Sequence, residues 1–393
     1  MEVKQIYTLI NSVSKEVLGS SELVSEDLTG IVDLGTEVFN QNAVDAYVKS
    51  LVNHIGKVVF VNRPYSGKLP SVLMNSWEFG SVLEKISADV PEAEENDTWN
   101  LVDKQSYSQD VFHKPTVTAK FFNSKVTFEV PVSITERQVK QSFSSAAQMN
   151  GFISMIYSAV EKSMTIKADA LIMRTINNMI AETLLADAAA FGGDGSQDYS
   201  TASTARCVNL LKLYNDQIKP ATALTADKAI TNPDFIRFAS YTMGLYADRM
   251  ASISTVFNVG GKARFTPKDM LHVVLLSDFA KAAQTYLYGD TYNKEQVLLP
   301  VAETVPFWQG SGTKYNFEST GHITVKTAKE GRSIEISGVL GVMFDRDALG
   351  VCNLDRRVTT NYNAKAEFFN NYYKFDAGYF NDTNENFVLF FVE

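Results

Sequence analysis

The most informative part of the sequence is residues 71–130, which end in the run TVTAKFFNSKVTFEV. In this run Val117, Ala119 and Phe121 alternate with polar residues, which is typical of a strand with one buried face. The alternation changes phase just after Asn123 and then continues to the end of the run. A change of phase exchanges the two faces of a strand, so the pattern predicts a bulge or turn at this point.

The same region contains a long acidic insert, SADVPEAEENDTWNLVDKQSYSQD (87–110). Its hydrophobic residues are too scattered to form a core of their own. Residues 71–130 therefore predict an extended loop that needs a partner surface. The four acids from Glu92 to Asp97 could be read as the paired carboxylates of a glycosidase, but a charge run inside a polar insert is typical of a solvent-exposed tip.

A long helical region follows the predicted strands. Ser133 and Glu136 have the spacing of a capping box at its start. Hydrophobic residues then recur at helical spacing to about Ala190, and such a helix would be roughly 80 Å long if unbroken. Because this exceeds an ordinary domain, we expect a break near Gly151. The glycine-rich run FGGDGSQDYS (191–200) ends the region and predicts a domain boundary.

Two shorter amphipathic helices are predicted before residue 70, from Ile6 to Val17 and from Val44 to Ile55. The segment between them is polar and interrupted by glycine. Two short helices on such a tether do not make a domain, so they predict an arm that docks on another surface.

The second half of the chain has a mixed α/β pattern. Asn232 is placed to cap a helix that begins at Pro233, and residues 273–276 (VVLL) are typical of a strand buried on both faces. Ser277 and Asp278 then start a helix that runs through Tyr288. The hydrophobic run near the C-terminus, FVLFF (387–391), must be buried, so it predicts a strand of the core.

Composition restricts the class of protein. The 393 residues carry a net charge of −9, which argues against a dedicated reader of DNA or RNA but is compatible with lining a DNA-filled cavity. The two cysteines, Cys207 and Cys352, have no spacing for a metal site or a disulfide framework and suit a reducing cytosol. The polar start and the lack of long apolar runs predict a soluble protein, made inside the cell, with no signal peptide and no membrane span.

No sequence pattern indicates catalytic chemistry. The run GGDGS does not match a phosphate-binding loop, and the acids within and after it lack the spacing of a calcium loop. The histidines are isolated at positions 54, 113, 272 and 322. We therefore predict that the protein is not an enzyme and has no catalytic, cofactor-binding or metal-binding residues.

The candidate contacts between subunits are aromatic and charged residues. In the predicted loop they are Trp77, Phe79, Glu84, Lys85 and Trp99, and near strand ends they are Asp345, Arg346, Asp355, Arg356 and Arg357. Alternating charges at strand ends suit ion pairs between subunits, although a salt network within one chain explains them equally well. The basic residues Lys262, Arg264 and Lys268 fit either a loop that faces DNA or lines a pore, or a flexible surface loop.

The order of these parts resembles the major capsid proteins of tailed bacteriophages, whose fold is named for phage Hong Kong 97. Four phrases carry the sequence resemblance: VKSLVNHIGKVVFVNRPYSG (48–67), LLSDFAKAAQTYLYGDTYN (275–293), VPFWQGSG (305–312) and SGVLGVMFDRDALGVCNLDRRVTTNYNAKAEFFNNYYKF (337–375). The resemblance implies an α+β fold with five parts: an N-terminal arm (1–70), an extended β loop (71–130), a peripheral domain with a long spine helix (131–200), a mixed α/β axial domain (201–345) and C-terminal strands that return to the peripheral domain (346–393).

The resemblance also implies a function. Copies of the chain would assemble as pentamers and hexamers into an icosahedral or elongated head that encloses double-stranded DNA without sequence specificity. Assembly would take place in the host bacterial cytoplasm, with a separate scaffolding protein and a portal as partners and no membrane. Some relatives crosslink a loop lysine to an asparagine of another subunit, for which Lys85 or Lys104 and Asn361 or Asn363 are the candidates here. The alternatives are an encapsulin-like compartment that holds cargo enzymes and a cytosolic enzyme with an unfamiliar motif.

Overall fold

The computed structural model of the chain describes residues 3–19, 24, 30–40, 43, 46–51, 69, 72–74, 83–88, 93, 95–107, 112, 114, 116–193, 197–288, 302–309, 320–326 and 333–393. These residues form two compact units, each drawn from three segments. Unit 1 comprises Met1–Ser76, Ser124–Ile172 and Val351–Gly378, and unit 2 comprises Trp77–Asn123, Met173–Gly350 and Tyr379–Glu393. Within the described part of the chain, no helix is both long enough and apolar enough to cross a membrane.

Helices and strands are mixed along the chain. The helices are α1 (Val3–Leu18), α2 (Ile31–Asn40), α3 (Glu136–Ser142), α4 (Ala146–Ala186), α5 (Leu210–Ile218), α6 (Ala226–Ala229), α7 (Pro233–Met250) and α8 (Ser277–Tyr288). The strands are β1 (Leu73–Met74), β2 (Leu83–Ala88), β3 (Val117–Phe122), β4 (Lys125–Thr135), β5 (Cys207–Asn209), β6 (Leu271–Leu276), β7 (Glu303–Val305), β8 (Ile323–Lys326), β9 (Ser333–Ile336), β10 (Val339–Asp345), β11 (Leu349–Asn363), β12 (Phe368–Asn381) and β13 (Phe387–Phe391).

Unit 1 contains a four-stranded sheet with the strand order β1-β11-β12-β4. Strand β4 runs antiparallel to β12, from Thr135 opposite Phe368 to Lys125 opposite Gly378. Along β4 the side chains alternate between exposed and inward-facing positions, and Val130 and Ile134 are buried. The prediction of a strand with one buried face after Asn123 is therefore confirmed.

The N-terminal helices cover the hydrophobic face of this unit. Residues of α1, α2 and the helical segment 46–51 share one core with β4, α3, β12 and the first half of α4. Buried members of this core include Ile10, Leu34, Tyr47, Ile153 and Tyr373. The prediction that the N-terminal helices dock on another surface is confirmed within the chain, because their apolar faces are buried against the rest of unit 1. Contact of this arm with a neighbouring subunit stays a prediction. Helix α2 was missed, since its sequence lies in the segment interpreted as a tether.

The long helical region begins and breaks at different residues from those expected. Strand β4 continues through Ser133, so the N-cap of α3 is Thr135, whose hydroxyl accepts a hydrogen bond from the backbone N–H of Gln138. The Gln138 side chain in turn accepts a hydrogen bond from the backbone N–H of Thr135, which completes a capping box. The break lies at residues 143–145, and Gly151 sits inside α4, a continuous helix of 41 residues.

Replacing Thr135 with alanine is expected to lower the free energy of unfolding by about 1 kcal/mol, because the first turn of α3 loses its capping hydroxyl. Ser133→Ala is the matched control, since this hydroxyl only donates an exposed hydrogen bond to Asn370. The control should change stability by less than about 0.5 kcal/mol. Urea unfolding of the unassembled subunit measures both values, and an equal effect of the two substitutions would contradict the assignment of the cap.

Unit 2 contains a five-stranded sheet with the strand order β5-β13-β10-β6-β7. Strand β13 lies inside this sheet, antiparallel to β10 and parallel to β5, and every residue from Phe387 to Phe391 is buried. The predictions of a core strand at 387–391 and of a buried strand at 273–276 are thus confirmed. Helices α5, α7 and α8 contribute to the core against the sheet, and Asn232 caps α7 as expected.

Two further strands of unit 2, β2 and β3, pair with each other and with no other described strand. They form an antiparallel ribbon in which Leu83 lies opposite Phe122 and Ala88 lies opposite Val117. The ribbon belongs to the region predicted as an extended loop. Its neighbour in sequence, β4, joins the sheet of unit 1, so the change of phase at Asn123 marks a passage from one sheet to another.

Candidate subunit-contact surface

The outer face of the β2–β3 ribbon is mostly apolar and is exposed among the described residues. Directly opposite residues of the two strands share a face, and the outer face carries Glu84, Ile86, Ala88, Val117, Ala119 and Phe121. Ile86 is 66% exposed and Phe121 is 64% exposed. The prediction that Val117, Ala119 and Phe121 form a buried face was wrong for the single chain. The alternate residues of β3, Thr118, Lys120 and Phe122, form the inward face. Burial of this outer face would need a surface beyond the described residues of the chain.

The inner face of the ribbon is attached to unit 2 by ion pairs. Lys85 and Lys120 lie directly opposite each other on this face. The Lys85 ammonium is 2.9 Å from Asp382 and 2.8 Å from Glu385, and the Lys120 ammonium is 2.8 Å from Asp382. Lys85 also donates a hydrogen bond to the Asp347 carbonyl. We call Lys85, Lys120, Asp382 and Glu385 the lysine–carboxylate cluster.

Burial and the lysine hydrogen bonds shift the pKa values of the two carboxylates in this cluster. The Asp382 side chain is only 2% exposed, and burial opposes its ionisation, but hydrogen bonds from Lys120 and Lys85 outweigh burial and lower its pKa. For Glu385 burial dominates and raises the pKa, although Lys85 donates to it and the guanidinium of Arg264 lies 3.5 Å away. The ribbon is therefore attached to its own unit by ion pairs in which Asp382 is shared between two lysines and Glu385 pairs with Lys85.

The segment between the two strands presents further apolar side chains to solvent. Trp99 is 94% exposed, and Leu101 and Val102 are also exposed. Local hydrogen bonds order the backbone here: the Asn96 side chain accepts from the Thr98 N–H, and the Val102 N–H donates to the Tyr107 hydroxyl. We call residues 95–107 the tip. A bulky indole held in solvent by an ordered turn is typical of a contact residue.

The remaining predicted contact residues lie apart from the ribbon or outside the described residues. Trp77 and Phe79 lie outside the described residues. Asp345 is buried and accepts hydrogen bonds from Thr266 and from the Asp347 N–H, and Arg357 pairs with Asp376. The Arg357–Asp376 pair matches the alternative of a salt network within one chain, whereas these two hydrogen bonds of Asp345 come from uncharged groups.

The other charged candidates differ in their exposure. Arg346 is exposed, Arg356 is partly buried, and the structure gives only the backbone placement of Asp355 in β11. Within the basic tract, Arg264 is turned toward Glu385 and Lys268 pairs with Asp248. Among the described residues, no cluster of histidine, cysteine, aspartate or glutamate could hold a metal ion. Contacts of these side chains with a neighbouring subunit stay predictions.

Sequence reasoning identified Lys85 but missed the other members of the lysine–carboxylate cluster. Lys120, Asp382 and Glu385 lie far from it along the chain, and no local pattern links them. The one available signal is the position of Lys120 within β3, where it occupies the face opposite to Phe121. Because the hydrophobic residues were assigned to the buried face, the lysine was assigned to solvent.

The architecture is similar to that of solved phage capsid structures. A capsid structure of Staphylococcus phage Andhra is 9% identical, with a TM-score of 0.51, and the match covers 84% of this chain and 86% of that chain. A capsid structure of cyanophage P-SCSP1u is 10% identical, with a TM-score of 0.44, over 82% of this chain and 86% of that chain. The likeness to the Andhra capsid shows the fold: an α+β phage capsid fold of the Hong Kong 97 type.

The family model of the Phi29-like phage major capsid protein matches residues 10–391. The chain therefore belongs to the Phi29-like phage major capsid protein family. A search of the curated proteins finds no match. Family and fold together give the function: the protein is a major capsid protein, a structural component of the phage virion that builds the head shell from many copies of itself. The encapsulin-like alternative is not favoured.

Proposed function

We propose that the subunits close a shell around double-stranded DNA by packing the outer face of the ribbon and the tip of each copy on a neighbouring copy. The observation that carries this proposal is the exposed apolar face of Ile86, Val117 and Phe121, on a ribbon whose other face is fixed by partly buried ion pairs. A fixed apolar face loses little conformational entropy on binding. Each contact is modest, but closed symmetry repeats it over the whole shell.

In this proposal each part of the chain has one role in the shell. Residues 1–70 form the N-terminal arm, 71–130 the extended loop, 131–200 the peripheral domain with α4 as its spine, 201–345 the axial domain around the five-fold and six-fold axes, and 346–393 the returning strands. A separate scaffolding protein and a portal complete the assembly. The net charge of −9 suits an inner wall that encloses DNA without gripping its phosphates. The protein performs no catalysis.

Adjacent phenylalanines on opposite faces of β3 provide the test. Phe121→Ser removes an exposed side chain, so the free energy of unfolding of the isolated subunit should change by less than about 0.5 kcal/mol, whereas shells should no longer form. Phe122→Ser is the matched control. Phe122 packs on Phe380, with ring centroids 5.1 Å apart, so its loss should destabilise the subunit itself by about 1–3 kcal/mol.

The measurements are urea unfolding of the free subunit and negative-stain microscopy of particles made together with the other head proteins. Nuclease protection of the particle contents tests the enclosure of DNA. Normal yields of shells from the Phe121→Ser chain would rule out the outer face as a subunit contact. Normal shells that protect no DNA in infected cells would rule out the enclosure of DNA.

A further inference from the structure

Strand β12 brings a polar side chain into the hydrophobic core of unit 1. Every second side chain from 369 to 377 is buried along this strand. Phe369 and Tyr373 belong to the core that β4, α4 and the N-terminal helices share. Asn371 lies between them on the same face of the strand and is 0% exposed. A neutral amide is therefore enclosed among hydrophobic side chains.

Strand β11 adds a second polar group to the same place. A turn of four residues, 364–367, joins these two neighbouring strands of the sheet, which therefore run antiparallel. The rings of Tyr362 and Phe369 lie 4.7 Å apart across the strand pair. Two positions further along each strand, Thr360 and Asn371 are neighbours on the inward face.

Four polar atoms of these side chains are buried. The described residues offer no hydrogen-bond partner to either polar atom of the Asn371 amide, to the Tyr373 hydroxyl or to the Thr360 hydroxyl. Proteins pair nearly all of their buried polar groups, because an unpaired amide or hydroxyl in an apolar core is costly. Burial also raises the pKa of Tyr373, so its hydroxyl keeps the proton and can donate as well as accept. Each of these groups therefore requires a partner.

The spacing and the chemistry of the groups define that partner. Side chains two positions apart on a strand are separated by about 6.6 Å, whereas a direct hydrogen bond spans about 3 Å. A bridging molecule must donate to the Asn371 amide oxygen and accept from the NH2 group. The amide and the two hydroxyls carry no charge, which favours a neutral molecule over an ion. Water donates and accepts at once and is small enough to be enclosed in a core.

We infer that the core of unit 1 binds ordered water between β11 and β12, held by the Asn371 amide and by the hydroxyls of Tyr373 and Thr360. This water pairs the polar atoms that the alternation of β12 places among hydrophobic side chains. The site lies within one subunit, so the inference goes beyond the proposed function and does not depend on a contact between copies.

Removal of single hydroxyls tests the site in the free subunit. Tyr373→Phe and Thr360→Val each remove one hydroxyl and keep the shape of the side chain. Each should raise the equilibrium constant of urea unfolding about fivefold, because a hydrogen bond to water is lost. The combined substitutions should raise it by less than the product of the two single effects, since the second acts on a site whose water is already disturbed.

The matched controls lie one position away on the outward face. They are Tyr372→Phe and Thr359→Val, at positions that are partly or fully exposed, and each should change the unfolding constant less than about twofold. A dry core would give the opposite sign for the buried hydroxyls, since removal of an unpaired hydroxyl leaves the constant unchanged or lowers it. That result would overturn the inference, and so would two effects that multiply fully, because no water is then shared.

A structure of the shell at a resolution that shows ordered water tests the site directly. Density is expected within about 3 Å of the Asn371 amide and of the two hydroxyls, and it should be lost in the Tyr373→Phe, Thr360→Val chain. If a side chain from residues 52–68, which lie outside the described residues, bonds to Asn371 instead, the chain supplies the partner itself and the water site does not exist.

Discussion

Replacing Gly338 with alanine is expected to lower the free energy of unfolding by about 3 kcal/mol, from two separate causes. Gly338 has a φ of +66°, where a side chain costs about 1–2 kcal/mol. A Cβ atom there would also overlap the carbonyl oxygen of Val392 and lie 3.1 Å from its carbonyl carbon. Overpacking of this kind costs about 1–3 kcal/mol.

The overlap matters because it lies beside the last strand. The Val392 N–H donates to the Gly338 carbonyl at 2.9 Å, just beyond β13. Relief of the overlap would move the end of β13 away from β10, which is the central strand of the sheet of unit 2. Gly261 provides the matched control, since its φ is +64° but nothing lies within 4 Å of an added Cβ.

Gly261→Ala should therefore cost only about 1–2 kcal/mol, the conformational part alone. Urea unfolding of the free subunit gives both values, and hydrogen exchange should show faster exchange at residues 387–391 only in the Gly338→Ala chain. Equal destabilisation by the two substitutions would mean that the contact with Val392 contributes nothing.

Elements whose cause is local could be predicted from the sequence. Asn232 caps α7 because its side chain reaches the N–H groups two and three residues ahead. The buried runs 273–276 and 387–391 are strands because a short hydrophobic segment must be covered on both sides. The long capped helix and the order of parts could also be predicted from the sequence. These features were enough to predict the fold class and to recognise the resemblance to capsid proteins.

Elements that depend on distant pairing were wrong or missed. Two hydroxyl residues, Ser133 and Thr135, each have a Glu or Gln three positions later, so both fit a capping box. Pairing with β12 extends β4 through Thr135, opposite Phe368, and this tertiary contact selects the second cap. Gly151 was expected to break the helix, but a single glycine costs only about 1 kcal/mol, and burial of Phe152 and Ile153 in the core of unit 1 keeps this part of α4 helical.

The candidate contact surface shows the same limit. The exposed apolar side chains of the loop were recognised as needing a partner, because too few of them exist to form a core. Which face of β3 points outward could not be predicted, since it depends on Asp382 and Glu385, more than 260 positions beyond Lys120 and Lys85. The acids lie in the loop between β12 and β13, and only the folded chain brings them under the ribbon.

Replacing Asp382 with asparagine is expected to destabilise unit 2 by about 2–3 kcal/mol and to release the ribbon first. The substitution keeps the volume of the side chain but removes the charge that two lysines share. Breaking a buried ion pair on one side costs about 3–5 kcal/mol, and the partial exposure of Lys85 and Lys120 reduces this cost. The lysines then face each other across the ribbon with Glu385 as their remaining carboxylate.

The same substitution at Asp376 provides the control. Asp376 pairs with Arg357 at 2.7 Å, but this pair is far more exposed, so Asp376→Asn should cost less than about 1 kcal/mol. Hydrogen exchange of residues 83–88 and 117–122 reports on the ribbon. Exchange there should accelerate in the Asp382→Asn chain and stay unchanged in the Asp376→Asn chain.

The pH dependence of the free energy of unfolding provides an independent check on the role of Asp382. Its pKa is lowered in the folded chain, because the lysine hydrogen bonds outweigh burial. Its contribution to stability is therefore complete above the ordinary aspartate pKa of about 3.9 and is lost as the pH falls through the lowered value. Glu385, whose pKa burial raises, acts in the opposite direction at higher pH, so the two groups are separable in a titration of stability. The Asp382→Asn chain should lack the acid-induced loss of protection in the ribbon; if the loss persists unchanged, another group holds the ribbon in place.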